Sequence, residues 1–327
     1  MGYELLVQDK SVTGRTFDLA PLTETVTLKS ERTGSAGSLE FDMIKAGEVS
    51  FHEGDPVRFS VDGRLLFYGY VFEKEQNRWG EISVTCYDQV RYLKMNASYA
   101  FSGMTAGGII RKLAADYGLV VGTVEDTGYV IPSLVCEDKE CFDMISDAVQ
   151  QTIVNTGKVY VFFDDCGALS LREAGHMKSD VVIGERSLVT DYSYKTSIDS
   201  DVYNSVKLAR PNEETGKTDI YIVEDSYNIG RWGLLRYYEQ VDESMNPAQI
   251  RQQAETMLTY YDELKRTLSI DCLGVPGLRA GQMVFLNLPN LGDISLSKYV
   301  LLESVEHTFE NDVHTMSIET RAISGVE

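Results

Sequence analysis

The feature that most constrains this chain is a faint repetition of itself. Gly54-Asp55-Pro56-Val57-Arg58-Phe59 and Gly281-Gln282-Met283-Val284-Phe285-Leu286 each place a glycine ahead of an alternating strand. Downstream of each lies an apolar return strand, then a polar turn. The turns, Gln76-Asn77 and Glu310-Asn311, stand at one offset from Val71 and Val305. The following strands match as well, Ile82-Ser83-Val84 against Met316-Ser317-Ile318. The second copy is longer at its middle turn, which holds Pro289-Asn290-Leu291-Gly292-Asp293. Alternation is cheap, and two unrelated antiparallel sheets would align about as well. If the repeat is genuine, the chain carries two similar barrels with different inserts. Three such chains would place six barrels in a ring, matching sixfold objects on one face and threefold objects on the other. A closed ring also covers strand edges that invite aggregation.

The pattern along the chain predicts a mainly β, α+β protein in four parts. Residues 1–95 read as a first antiparallel β-barrel. Val57, Phe59 and Val61 alternate with polar residues up to Asp62-Gly63, a two-residue hairpin turn. Leu65 to Phe72 is apolar on both faces, which predicts cover on both sides. Residues 96–178 read as an α/β insert. Thr105 caps a helix stopped by Gly118, a second helix runs over 139–154 from an Asp138 cap, and a hairpin turns at Asp164-Asp165-Cys166-Gly167. A second barrel is expected over 179–215 and 266–327, with strands continuing to Ile323. Between these segments, 216–265 is expected to hold a helix capped by Asn246, with Pro247 at its first position. The chain has 327 residues, and above about 250–300 residues several cores are usual.

Charge narrows the partners. Thirty Lys+Arg against 50 Asp+Glu give a net charge of −20, which repels nucleic acid and anionic membranes. That charge serves solubility, lines a pore, or faces a basic partner; composition does not separate these. Five cysteines, an odd number at wide spacings without CxxC, argue against a disulfide framework. Met1-Gly2-Tyr3-Glu4-Leu5-Leu6-Val7 lacks the basic start and apolar core of a signal peptide. No apolar run approaches the ~20 residues of a membrane span, so no membrane insertion is expected.

The order barrel, α/β insert, second barrel with a helical insert resembles the phage tail hub proteins of the late-control-D type. It resembles in particular the XkdQ/YqbQ-like hubs of Gram-positive myophages, defective prophages and R-type bacteriocins. The resemblance rests on Leu65-Leu66-Phe67-Tyr68-Gly69-Tyr70-Val71, Cys86-Tyr87-Asp88 with Leu93, and Thr105-Ala106-Gly107-Gly108-Ile109-Ile110. It rests also on Phe163 to Leu169, Tyr203-Asn204-Ser205-Val206 and Leu278-Arg279-Ala280-Gly281. Each motif is unspecific; their order over nearly the whole chain carries the likeness. It implies a homotrimeric baseplate hub adapting a hexameric tail tube to a trimeric central spike, with wedge or tape-measure proteins as further neighbours. It also implies assembly in the bacterial cytoplasm and release by lysis in a virion or bacteriocin particle.

Chemistry is sparse. His52, His176, His307 and His314 show no HExxH or Cys/His spacing. His307 and His314 flank a turn in the second barrel, where they could approach each other, and are expected as exposed strand residues. No GxSxG, P-loop or GxGxxG after a strand occurs. Gly103 to Gly108 reads as a helix entry, Asp164-Asp165 as a turn, and Glu137-Asp138-Lys139-Glu140 as acids favouring a helix start. Nineteen tyrosines suit interfaces and cores equally. No catalytic residue, metal ligand, cofactor or sequence-specific nucleic-acid contact is therefore expected. The alternatives to a structural hub are a tail-associated peptidoglycan hydrolase, which needs two acids across a cleft, and a secretion-system spike component.

Overall fold

The computed structural model describes residues 2–10, 14–199, 201–212, 216–243, 245–292 and 294–321. Asp293 of the middle turn and the strand reading as far as Ile323 lie outside these. The first strands are β1 (Tyr3–Gln8), β2 (Thr16–Asp18), β3 (Thr23–Glu31), β4 (Ser38–Ile44), β5 (Pro56–Val61), β6 (Arg64–Gln76) and β7 (Glu81–Tyr87). The insert follows as β8 (Asn96–Met104), α1 (Ala106–Asp116), β9 (Val121–Val124), β10 (Ile131–Glu140), α2 (Cys141–Thr156), β11 (Tyr160–Asp164) and β12 (Leu169–Glu173). Next come β13 (Lys178–Gly184), β14 (Val189–Ser197), β15 (Ser205–Asn212), β16 (Lys217–Glu224), α3 (Ser226–Trp232), β17 (Arg236–Gln240) and α4 (Pro247–Tyr261). The chain closes with β18 (Lys265–Leu273), β19 (Met283–Leu291), β20 (Ile294–Glu310) and β21 (Val313–Arg321).

The mainly β expectation holds, but most of the strands expected in two barrels lie in one sheet. It has 13 strands in the order β14-β18-β21-β20-β3-β4-β7-β6-β5-β1-β2, with β19 beside β20 and β13 beside β19. No closed barrel appears among the described pairings. The join is β20, whose first part pairs with β19 while its last part pairs with β21 on one edge and β3 on the other.

Local chemistry accounts for the turns. Asp62 and Gly63 both adopt positive φ, 46° and 78°, which the two-residue hairpin turn requires. Thr105 caps α1 by accepting from the Gly108 N–H, and Gly118 ends it at φ 67°. Asp138 does not cap α2. It sits within β10 at φ 46°, held by the Ser98 hydroxyl and the Asn96 amide, while β10 pairs with β8 as far as Glu140. Sheet pairing therefore delays the helix to Cys141. The insert has its own core, in which Ile109, Ile110 and Leu113 of α1 meet Met144, Ile145 and Ala148 of α2.

By contact density, residues up to Ser193 with Leu268–Arg321 form one unit, and Tyr194–Thr267 form a second. In the second unit β15 lies between β16 and β17, with Val206 and Leu208 packed on Ile250 and Ala254 of α4. β15 was expected among the strands of the second barrel; it pairs instead with β16 and β17 in a separate sheet. Asn246 and Gln249 complete a capping box at the start of α4, with Pro247 in its first turn. Among the described residues no helix is long and apolar enough to cross a membrane.

Candidate functional site: a duplicated four-strand block

The repetition extends to individual hydrogen bonds. In the first copy the Gly54 N–H donates to Val71 O (2.7 Å) and the Val71 N–H to Asp55 O (3.0 Å). In the second, Gly281 N–H donates to Leu302 O (2.8 Å) and Leu302 N–H to Gln282 O (3.0 Å). The Asp55 carboxylate accepts from His52 N–H (2.8 Å), as the Gln282 side-chain carbonyl accepts from Arg279 N–H (3.0 Å). A register shift breaks β6–β7 between Val71 and Glu73, and β20–β21 between Leu302 and Ser304. Val71 thus corresponds to Leu302, not to Val305. The offset counted from the turns misleads because β20 closes on a two-residue turn, Asn311-Asp312, both at positive φ. The first copy uses a longer turn organised by Asn77, whose side chain accepts from Trp79 and Glu81 N–H.

Two further strand pairs correspond, and composition alone did not single them out. Thr25-Val26-Thr27-Leu28-Lys29-Ser30 of β3 matches Asp191-Tyr192-Ser193-Tyr194-Lys195-Thr196 of β14. Leu39-Glu40-Phe41-Asp42-Met43-Ile44 of β4 matches Leu268-Ser269-Ile270-Asp271-Cys272-Leu273 of β18, with Leu39, Phe41, Met43 and Leu268, Ile270, Cys272 buried. The chain therefore holds two blocks, β3-β4-β7-β6 and β14-β18-β21-β20, laid head to tail in one sheet. The signal was present as alternation. It was hidden because 198–264 separate β14 from β18 where 32–37 suffice between β3 and β4.

The blocks meet where β20 pairs with β3, Ser304 opposite Glu31 through Glu310 opposite Thr25. The Ala280 N–H donates to the Ser30 hydroxyl (3.0 Å), and Arg32 pairs with Glu303 at 2.7 Å. Phe309 of β20 lies edge-on to Phe59 at 5.0 Å and shares the core of Leu5, Val26 and Val57.

The other face of these strands is acidic and hydroxyl-rich. Pleating sends Glu31, Glu40, Asp42, Glu73, Glu75, Glu306 and Glu319 to one side, among Thr25, Thr27, Ser83, Thr85, Ser304 and Ser317. Lys29 stands among them; its bond to Glu31 raises the ammonium pKa and lowers that of the carboxyl. Each block also exposes apolar residues at its turn end. Ile44 (58% exposed) lies opposite Glu81, close to Trp79 (73%). Its counterpart Leu273 (48%) precedes Gly274, whose N–H donates to His314 O beside Val313 (55%).

The titratable groups that could suggest chemistry are used in packing. Asp88 accepts from Val90 and Gly37 N–H, each at 2.9 Å, and Asp164 accepts from Gly167 N–H (2.5 Å) and the Gln89 amide (2.8 Å). Arg279 donates to the Asp164 carbonyl (2.9 Å) and lies 3.9 Å over the Phe163 ring. Burial, then the nearby Asp164, pushes the Asp88 carboxyl up to about 8. These groups join the turn before β4, the insert hairpin and the β18–β19 connection. His307 and His314 are buried rather than exposed, because β20 turns the first and β21 the second into the core. His307 Nε2 lies 2.7 Å from Leu278 O, and its Nδ1 lies 2.9 Å from His314 Nε2. His176 is exposed and bonded to Glu125 at 3.0 Å. Asp9, His52 and Asp55 could bring three ligand atoms together. The Asp55 carboxylate, however, already accepts from Lys10 and His52 N–H, and its counterpart is a glutamine, so turn bracing explains it. All five cysteines are free thiols.

The described fold is thus a two-block sheet with an acidic, hydroxyl-rich face, internally tied acids and an α/β insert. The chain belongs to the YqbQ-like family, whose model matches residues 26–321. It is 33% identical to the uncharacterized protein YqbQ of Bacillus subtilis (strain 168), over 91% of each chain. It is 32% identical to the phage-like element PBSX protein XkdQ of the same strain, over 90% of this chain and 91% of that one. Among solved structures it is similar to the 43 kDa tail protein of prophage MuSo2 from Shewanella oneidensis. The TM-score is 0.71 at 14% identity, covering 97% of this chain and 98% of the other, a likeness of fold.

Proposed function

We propose that this chain is the baseplate hub of a contractile phage-like tail, with three copies closing a ring between a hexameric tail tube and a trimeric central spike. The observation that carries the reading is the head-to-tail pair of four-strand blocks. Three chains supply six blocks, so the ring offers sixfold symmetry where blocks repeat and threefold symmetry where the single insert stands. The apolar residues at each turn end, Ile44 with Trp79 and Leu273 with Val313, then recur six times and suit a hexameric tube. The acidic, hydroxyl-rich face lines the channel, where it repels a polyanion and gives a passing chain little to adhere to. The name of XkdQ supports a phage-like element, and that of the MuSo2 tail protein a place in a tail. The buried acids, engaged by backbone and amide donors, support a holding role over cell-wall cleavage.

Mass measurement of the purified protein, with imaging of the tail carrying a labelled copy, tests the proposal. Three copies at the tube–spike junction are expected. Six copies, or a location along the tube, would defeat it.

A further inference from the structure

The α/β insert borders a cavity of about 350 Å³ between a helix and the edge of a sheet. α2 lines one wall, β11 another, and residues 32–34, between β3 and β4, complete it. β11 stands at the edge of its sheet and pairs with β12 alone among the described strands. The two periods of the backbone supply an apolar floor. Phe142, Val149 and Ile153 share one face of α2, and Tyr160 and Phe162 are alternate residues of β11. Ile153 and Phe162 remain half-buried, so the floor is not fully covered. The rim along α2 is polar and acidic, with Asp143, Asp147 and Gln150. One turn beyond Gln150, Val154 is 72% exposed and extends the apolar surface. The nearby cations are engaged: Lys139 lies against Asp147, and Arg32 pairs with Glu303 at 2.7 Å.

We infer that this groove takes an extended segment of a partner protein, laid along β11, with apolar side chains in the cavity and basic ones at the acidic rim. An edge strand offers a row of backbone donors and acceptors to an added strand. An added strand sends every second side chain to one side, which here is the side of α2. The volume lies within the range of ligand pockets and suits an apolar anchor. Charge narrows the occupant. The residues outside the described ones include no Lys or Arg, so they do not supply the basic positions. Another copy is the poorer fit, since the chain has 50 acids against 30 Lys+Arg. The groove is formed by one chain, so the inference does not depend on the ring proposed above.

The test titrates a fluorescein-labelled Lys-Phe-Lys-Leu-Lys peptide with the full chain and follows fluorescence anisotropy. Saturable binding is expected. Lys-Ser-Lys-Ser-Lys has the same charge without the anchors and should bind about tenfold more weakly or less. Asp143→Asn and Gln150→Lys should each weaken binding of the first peptide about fivefold. Gln150 is exposed, so its variant tests the groove without disturbing the insert core. Equal binding of the two peptides would reduce the effect to general attraction by an acidic chain and overturn the inference. Wild-type affinity in both variants, or no saturable binding, would overturn it as well.

Discussion

His307 and His314 show how one buried contact fixes protonation. His307 Nε2 can only donate to the Leu278 carbonyl, so its Nδ1 accepts and His314 Nε2 must donate. That leaves His314 Nδ1 buried and bare, with the ring stacked 4.1 Å from Phe309. Burial, then the neighbouring His307, lowers the His314 pKa to about 4, and burial lowers that of His307. In the unfolded chain each imidazole titrates near its usual value of about 6.5. Between the two values the unfolded state binds more protons, so stability falls as the pH drops through about 6.5 and levels off below the folded-state value. His314→Gln keeps a donor toward His307 without titrating. Its melting temperature should fall less than the wild type's between pH 7 and pH 5. Equal slopes in the two proteins would remove the pair as the cause.

At the scale of elements, the two copies of one turn make a controlled comparison. Gly54 and Gly281 occupy equivalent positions at φ 87° and 85°, where a side chain is strained. A Cβ on Gly54 meets nothing within 4 Å, while one on Gly281 would lie 2.4 Å from Val161 Cγ1 of the insert. Gly54→Ala should cost about 1 kcal/mol in urea unfolding, and Gly281→Ala more than twice that, partly recovered by Val161→Ala. Equal costs would mean that the insert does not press on the second turn. The glycines were legible in the sequence as strand openers, and Asp62-Gly63, Thr105 and the Asn246-Pro247 pair as turn and caps, because each depends on neighbouring residues alone. The Asp138 cap misled because the local preference of an aspartate lost to a strand pairing with residues far away in sequence.

For the whole molecule the central fact is that β20 serves both blocks. If the turn ends form the sixfold docking surface, replacing both Ile44 and Leu273 with Asp should leave trimer mass unchanged. The same double variant should abolish stacking of the tube on the hub, seen as hubs without tubes in electron micrographs. Loss of the trimer itself would place these residues in the ring contact instead.

Residue order by itself determined the alternation of the strands, the capped helices and the matched hairpins, since these depend on spacing and neighbours. It also determined the family likeness and the absence of catalytic spacing. Only the tertiary structure decided that the expected barrels share one sheet, that Val71 answers to Leu302, that two histidines face inward, and where the 194–267 unit begins. Strand partners, bulges and burial are set by contacts beyond the local neighbourhood, up to 275 positions apart where β20 meets β3, and alternation is identical whichever partner a strand takes.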